Sequence, residues 1–191
     1  MNTLPLGCIV FQAERKNWIS DIIRVATKSQ FAHTFITLED GSVLEANAVG
    51  VERSSLLKYM GVDHHLEAFK MPFSQEEIER ALESIIKKYL GKPYGFLQLV
   101  HILFALSSNI TRLPLISSYT DKGIICGELI RYYCDELDLS KQIPSFQSEW
   151  SSPSLITPEF AYSSFKQVHL LLPVYATKEY DDIQWKTRES N

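Results

Sequence analysis

The chain has 191 residues, 45% of them hydrophobic, and a mild net charge of −4, which suits one domain with one sizeable core. No basic stripe, Arg/Lys cluster or aromatic–basic alternation is present, so nucleic acid is set aside as a partner. Three scattered cysteines, Cys8, Cys126 and Cys134, exclude a disulfide framework, and no C-x-x-C pair or His/Cys cluster has zinc-ligand spacing.

In chain order, L-G-C-I-V-F (residues 6–11) reads as a buried strand. W-I-S-D-I-I-R-V-A-T (18–27) places Trp18, Ile22, Val25 and Ala26 at helical spacing. A hairpin follows: His33 to Leu38, a turn around Asp40-Gly41, then Val43 to Ala48. Residues 49–59 are expected to be extended at first and then to form a short turn or helix, and 66–71 is another strand. His64 and His65 are adjacent there, so alternation sends them to opposite faces and joint metal chelation is not expected.

Ser74 with Glu77 forms a capping box, and Ile78, Leu82, Ile85, Ile86, Tyr89 and Leu90 make one apolar stripe that Gly91 ends. Phe96 to Leu106 is a second, greasier helix, too short to span a bilayer. Residues 107–122 are loop-like, 124–139 is a third strong helix, 158–165 a short fourth, and 168–174 a late strand. Residues 176–191 form a polar tail after a single domain spanning 1–175. Strands first, helices in the middle and one returning strand predict an α+β fold with an antiparallel sheet packed against helices. With no signal peptide evident at the start, a cytoplasmic location is expected.

Cys126 opens the third helix. About 100° per residue puts Cys126, Ile130, Tyr133 and Leu137 on one inward face. A thiol at a helix N-terminus meets the positive end of the macrodipole, which favours the thiolate. The backbone N–H groups there can also hold an oxyanion. Cys8, inside an apolar strand, and Cys134, two turns deeper in the helix, read as small buried hydrophobes.

A thiolate nucleophile needs a base, and the base an orienting group. His33, Phe35 and Thr37 share one face of the first hairpin strand. A two-residue turn would pair 33 with 48 and turn Glu45 away. A three-residue loop, Glu39 to Gly41 with Gly41 left-handed, pairs 35 with 45 and sets Glu45 diagonally beside His33. Asn47 would then lie opposite His33 as the alternative orienter. Spacing alone also fits a half-buried strand histidine with a solvent-facing glutamate.

Together, H-T-F-I-T-L-E-D-G-S-V-L-E (33–45) and I-C-G-E-L-I (125–130) resemble the permuted NlpC-type papain-like superfamily. This group includes the YiiX-like proteins and the relatives of lecithin–retinol acyltransferase. G-K-P-Y (91–94) is similar to the Gly-x-x-Tyr preceding the nucleophile, and I-T-P-E-F (156–160) to the late Thr-Pro-(acid) segment of YiiX-like proteins.

The resemblance implies a circularly permuted papain-like fold with Cys126 as nucleophile, His33 as general base and Glu45 as the third, orienting member. Tyr94, Gly127 and Glu128 would lie at the substrate or oxyanion. Glu128 also fits a first-turn acid favoured by the dipole. Gly7-Cys8 stands where members often have Gly-Asp, and Gly127 where a small hydroxyl residue is common. Glu45 stands where the acyltransferase branch usually has histidine, which points to the YiiX-like side.

The activity implied is hydrolysis of an amide, peptide or isopeptide bond through a thioester, with no metal or organic cofactor. Acyl transfer or thioester hydrolysis on lipid is the first alternative, with Phe96–Leu106 lining an acyl tunnel or touching a membrane. An ordinary core helix is the preferred reading of that stretch. A non-catalytic binding module is the second alternative.

Overall fold

The run I-V-F-Q-A-E forms β1 (Ile9–Glu14), and five of its six residues are buried, as a strand covered on both faces requires. A computed structural model describes residues 4–14, 17–96, 99–100, 123–139, 157–167 and 172–176. The remaining strands are β2 (His33–Thr37), β3 (Ser42–Asn47), β4 (Gly50–Ser55), β5 (His64–Lys70) and β6 (Leu172–Ala176). They form one antiparallel sheet in the order β4-β3-β2-β1-β5-β6. Among the described residues four helices accompany it: α1 (Trp18–Thr27), α2 (Gln75–Tyr89), α3 (Cys126–Glu136) and α4 (Pro158–Gln167). The architecture is α+β, as expected.

The first hairpin takes the three-residue loop. Leu38 N–H donates to the Ser42 carbonyl at 2.9 Å, and Gly41 at φ +75° supplies the left-handed residue that only glycine adopts cheaply. Phe35 therefore pairs with Glu45.

Residues 50–55 are more than an extended segment: β4 pairs along the whole of β3, from Ser42↔Ser55 to Asn47↔Gly50. A 3-10 turn (Leu56–Tyr59) follows. The late strand runs from 172 to 176, two residues beyond the expected end, and carries a bulge opposite Ala68/Phe69. Of the apolar stretch 96–106, only Phe96, Leu99 and Val100 lie among the described residues; the loop 107–122 and the tail after 176 lie outside them.

The α2 capping box forms as read: Glu77 N–H donates to Ser74 Oγ at 3.3 Å, and Ser74 N–H donates to Glu77 Oε2 at 2.8 Å. Helix α3 packs on β2, β3 and α2 and touches α4. Its inner face, Leu129, Ile130 and Tyr133, is fully buried with Phe11, Ile36 and Leu44 of the sheet. Each such side chain contributes about 1.5–3 kcal/mol by leaving water. Tyr133 also donates its hydroxyl to the Gly7 carbonyl at 3.0 Å, tying α3 to the start of β1. A second cluster, including Val10, Phe35, Tyr59 and Leu66, covers the other sheet face.

Helix α1 is inverted. Its apolar stripe faces solvent, with Trp18 71% and Val25 77% exposed, while Ser20 and Arg24 are 8% and 6% exposed. No helix among the described residues is long and apolar enough to cross a membrane.

Candidate active site

Cys126 is the first residue of α3, and backbone pairing just before it fixes where it sits. Tyr94 and Ile124 form a parallel bridge. Gly95 N–H donates to the Ile124 carbonyl at 3.2 Å, and Ile124 N–H to the Pro93 carbonyl at 3.0 Å. A Cβ on Gly123 would lie 2.8 Å from the Gly95 backbone, so only a bare backbone permits this approach. G-K-P-Y is thereby brought beside I-I-C, although 30 residues separate them in sequence. Cys126 is 7% exposed and sits in the first turn of its helix, where backbone N–H groups lack intrahelical acceptors.

His33 opens β2 and is half-buried. Its Nε2 lies 2.8 Å from Glu45 Oε2, and β2 packs under the helix that Cys126 opens, which brings the thiol within electrostatic reach of the ring. With Nε2 engaged by the carboxylate, Nδ1 is the nitrogen left for the sulfur. Burial opposes charge on the ring, but interaction with Cys126 and Glu45 and their negative charges outweighs it. The His33 pKa rises to about 9.

Glu45 is completely buried and fully engaged. It accepts the Tyr59 hydroxyl at 2.5 Å, the Ser54 hydroxyl, and Lys58 Nζ at 3.3 Å. Burial alone would raise its pKa, yet His33, Ser54 and Tyr59 together hold it well below the usual carboxylate range. Burial and the Glu45 charge push the Tyr59 phenol up, so it remains a donor. Sequence reading missed Ser54, Lys58 and Tyr59, which reach Glu45 from β4 and the 3-10 turn. A pairing of β4 with β3 was the signal that would have found Ser54.

Two expected site residues have other roles. Asn47 donates to Glu52 at 2.7 Å and accepts Val49 N–H at 2.9 Å. It is thus occupied in the β3–β4 turn, and Glu45 is what holds the His33 ring. Glu128 is buried and folds back to accept Ile125 N–H at 3.3 Å. That caps α3, and a carboxylate in this position would repel an oxyanion rather than hold it. Gly127 is buried beside Cys126 in the first turn.

Tyr94 lines a small pocket with Cys126, Ile23, Thr27, Ala32, Leu99, Ile125, Thr157 and Pro158. Burial, then the Cys126 and Glu128 charges, raise the Tyr94 pKa, so its hydroxyl stays a donor. Thr157 Oγ1 accepts Phe160 N–H at 3.2 Å, starting α4 and setting Pro158 at the pocket wall. The pocket is apolar and small, about 20 Å³ in volume.

Burial pushes the Cys8 thiol up to about 11, against partial relief from Thr37 and Lys70, and pushes Cys134 well above the usual thiol value. His64 meets Gln12 at 2.9 Å, while His65 stacks on Phe31 and lies 3.4 Å from Glu67. The two imidazoles therefore serve opposite sheet faces.

No family model matches the chain, and no curated protein matches it. Among solved structures it is similar to the crystal structure of metalloprotein YiiX from Escherichia coli O157:H7, DUF1105. The TM-score is 0.58 over 92% of this chain and 98% of that one, at 19% sequence identity. That likeness establishes the architecture: this chain has a YiiX-like α+β fold.

Proposed function

We propose that this protein is a cysteine hydrolase of the permuted papain-like, NlpC-type kind, cleaving an amide, peptide or isopeptide bond. The observation that carries the reading is the buried Glu45 carboxylate bonded to the His33 ring, on a strand packed under the helix whose first residue is Cys126. Cys126 as thiolate attacks the carbonyl carbon, and a C–S bond forms while the carbonyl electrons move to oxygen. The Cys126 and Gly127 N–H groups and the Tyr94 hydroxyl stabilise that oxyanion. His33, as imidazolium, gives its proton to the amine nitrogen as the C–N bond breaks. Water then loses a proton to His33 and attacks the thioester, which returns the thiolate and releases the acid.

The YiiX structure is described as that of a metalloprotein; among the described residues of this chain no three His, Cys, Asp or Glu groups converge, and Nε2 of His33 is engaged by Glu45. No step is routed through a metal.

A second reading, hydrolysis or transfer of a lipid acyl group, is favoured by one observation: the wall beside Cys126 is built from Ile23, Ala32, Leu99, Ile125 and Pro158. One experiment tests both readings. A panel of peptides, isopeptides, acyl anilides and acyl esters is offered to the protein, and products and adducts are read by mass spectrometry. An acyl mass on Cys126, with no turnover by Cys126→Ala, is expected, and the bond cleaved identifies the class. Undiminished turnover by Cys126→Ala overturns the proposal.

The pH profile follows from the same geometry. Because His33 must be protonated to release the amine, activity should fall on the alkaline side near pH 9. In Glu45→Gln the negative partner is gone, and that limb should shift down toward the ordinary histidine range, about 6.5. An unmoved limb would assign the titration to another group.

A further inference from the structure

We propose that α1 lies in the surface of a lipid bilayer and brings the apolar pocket at Cys126 to the membrane. This goes beyond the catalytic reading and does not depend on it. A soluble helix normally turns its apolar stripe inward, and α1 does the reverse. Trp18, Ile19, Ile22 and Val25 are 71%, 50%, 48% and 77% exposed, while polar Ser20 and Arg24 are buried. The helix has real caps, with Asn17 Oδ1 accepting Ile19 N–H at 3.0 Å and Lys28 closing the far end. Its orientation is therefore that of a formed element.

Three observations favour a bilayer over another occupant. First, the back of the same helix, through Ile23 and Thr27, lines the pocket that holds Cys126. One helix thus carries both the outward apolar face and part of the apolar wall at the thiol. Leu99 lines that wall as well, and its chain neighbours Phe96 and Val100 are exposed. Second, with Arg24 buried and paired to Asp21, the sequence from residue 14 to 28 leaves Arg15, Lys16 and Lys28 against the one acid Glu14, on a chain whose net charge is −4. Basic residues bracketing a Trp/Ile/Val face suit anionic headgroups above an acyl layer. Third, the strip is one helix wide and about 15 Å long. That is narrow for a stable protein partner, which covers about 800 Å² per side. With ten residues α1 lies in the interface and does not cross it.

The test is flotation of the full-length protein on vesicles of phosphatidylcholine alone and of phosphatidylcholine with 30% phosphatidylglycerol, alongside sedimentation and thermal melting. The wild type should float, more strongly on the anionic vesicles. Trp18→Glu and Val25→Glu should each weaken partitioning by about tenfold or more at unchanged melting temperature, since neither side chain is packed. Cys126→Ala should float like the wild type, so failure of the catalytic reading leaves this result separate. Absence of flotation by the wild type on both vesicles overturns the proposal. So does a wild-type dimer that Val25→Glu converts to monomer without any vesicle binding. A large fall in melting temperature for Trp18→Glu and Trp18→Ala alike also overturns it, because it shows that the face is covered by the chain itself.

Discussion

His33→Ala is expected to lower turnover by about 10³-fold or more, the scale of losing a general acid–base partner, while the protein stays folded. The ring does two jobs. On the proposed mechanism it steadies the thiolate of Cys126, and it carries the proton that the leaving amine needs. Neither job passes to a neighbour, because Tyr59 and Ser54 face Glu45. The fold should tolerate the change, since His33 sits at the end of β2 and Glu45 keeps Ser54, Tyr59 and Lys58. Stopped-flow or steady-state rates on whichever substrate the panel identifies, with circular dichroism as the folding control, check this. Near-wild-type turnover would remove His33 from the mechanism.

Glu45→Ala should have the larger effect on stability, costing about 3 kcal/mol or more, as removing one partner of a buried charged pair does. The carboxylate is completely buried, and its loss leaves the Tyr59 hydroxyl, the Ser54 hydroxyl and the His33 ring without their acceptor. The effect has a pH signature. The folded pKa of Glu45 is lowered, so its contribution is present above its ordinary 4.5 and is lost as the pH falls. The folded pKa of His33 is raised, so its contribution is complete below 6.5 and is lost as the pH rises through about 9. The gap in unfolding free energy between wild type and Glu45→Ala should therefore be widest between roughly pH 4.5 and 6.5 and narrow on both sides. Urea unfolding across pH measures it. A gap independent of pH would mean that packing, and not charge, is what Glu45 provides. Glu45→Gln, which keeps the shape, separates those two contributions.

How much of this was legible in the sequence depended on how local the determining contacts are. The His33–Glu45 contact was readable because one glycine, Gly41, sets the hairpin register, and register decides which residues share a face. The α2 cap was equally local, and strict alternation separated His64 from His65.

The bed beneath Glu45 was not legible in the same way. Ser54, Lys58 and Tyr59 reach it only once β4 adds to β3, and the β4 sequence V-E-R-S-S mixes apolar and polar residues without a clean period. Asn47 looked like a partner because the hairpin register sets it opposite His33, yet the two-residue turn at Ala48-Val49 claims its side chain. The placement of Tyr94 next to Cys126 depends on the bridge to Ile124, a long-range pairing that neither segment announces alone. Periodicity located α1 but gave no sign that its apolar face would point outward.

The central claim is that Cys126 is the activated thiol because His33 and the start of α3 act on it. Timed iodoacetamide labelling from pH 6 to 9, with each cysteine followed separately by peptide mass spectrometry, tests this most directly. Cys126 should be alkylated first throughout and should slow markedly in His33→Ala, while Cys8 and Cys134 stay unmodified in the folded protein. Labelling of Cys8 or Cys134 as fast as Cys126, or a Cys126 rate that does not respond to His33→Ala, would contradict it.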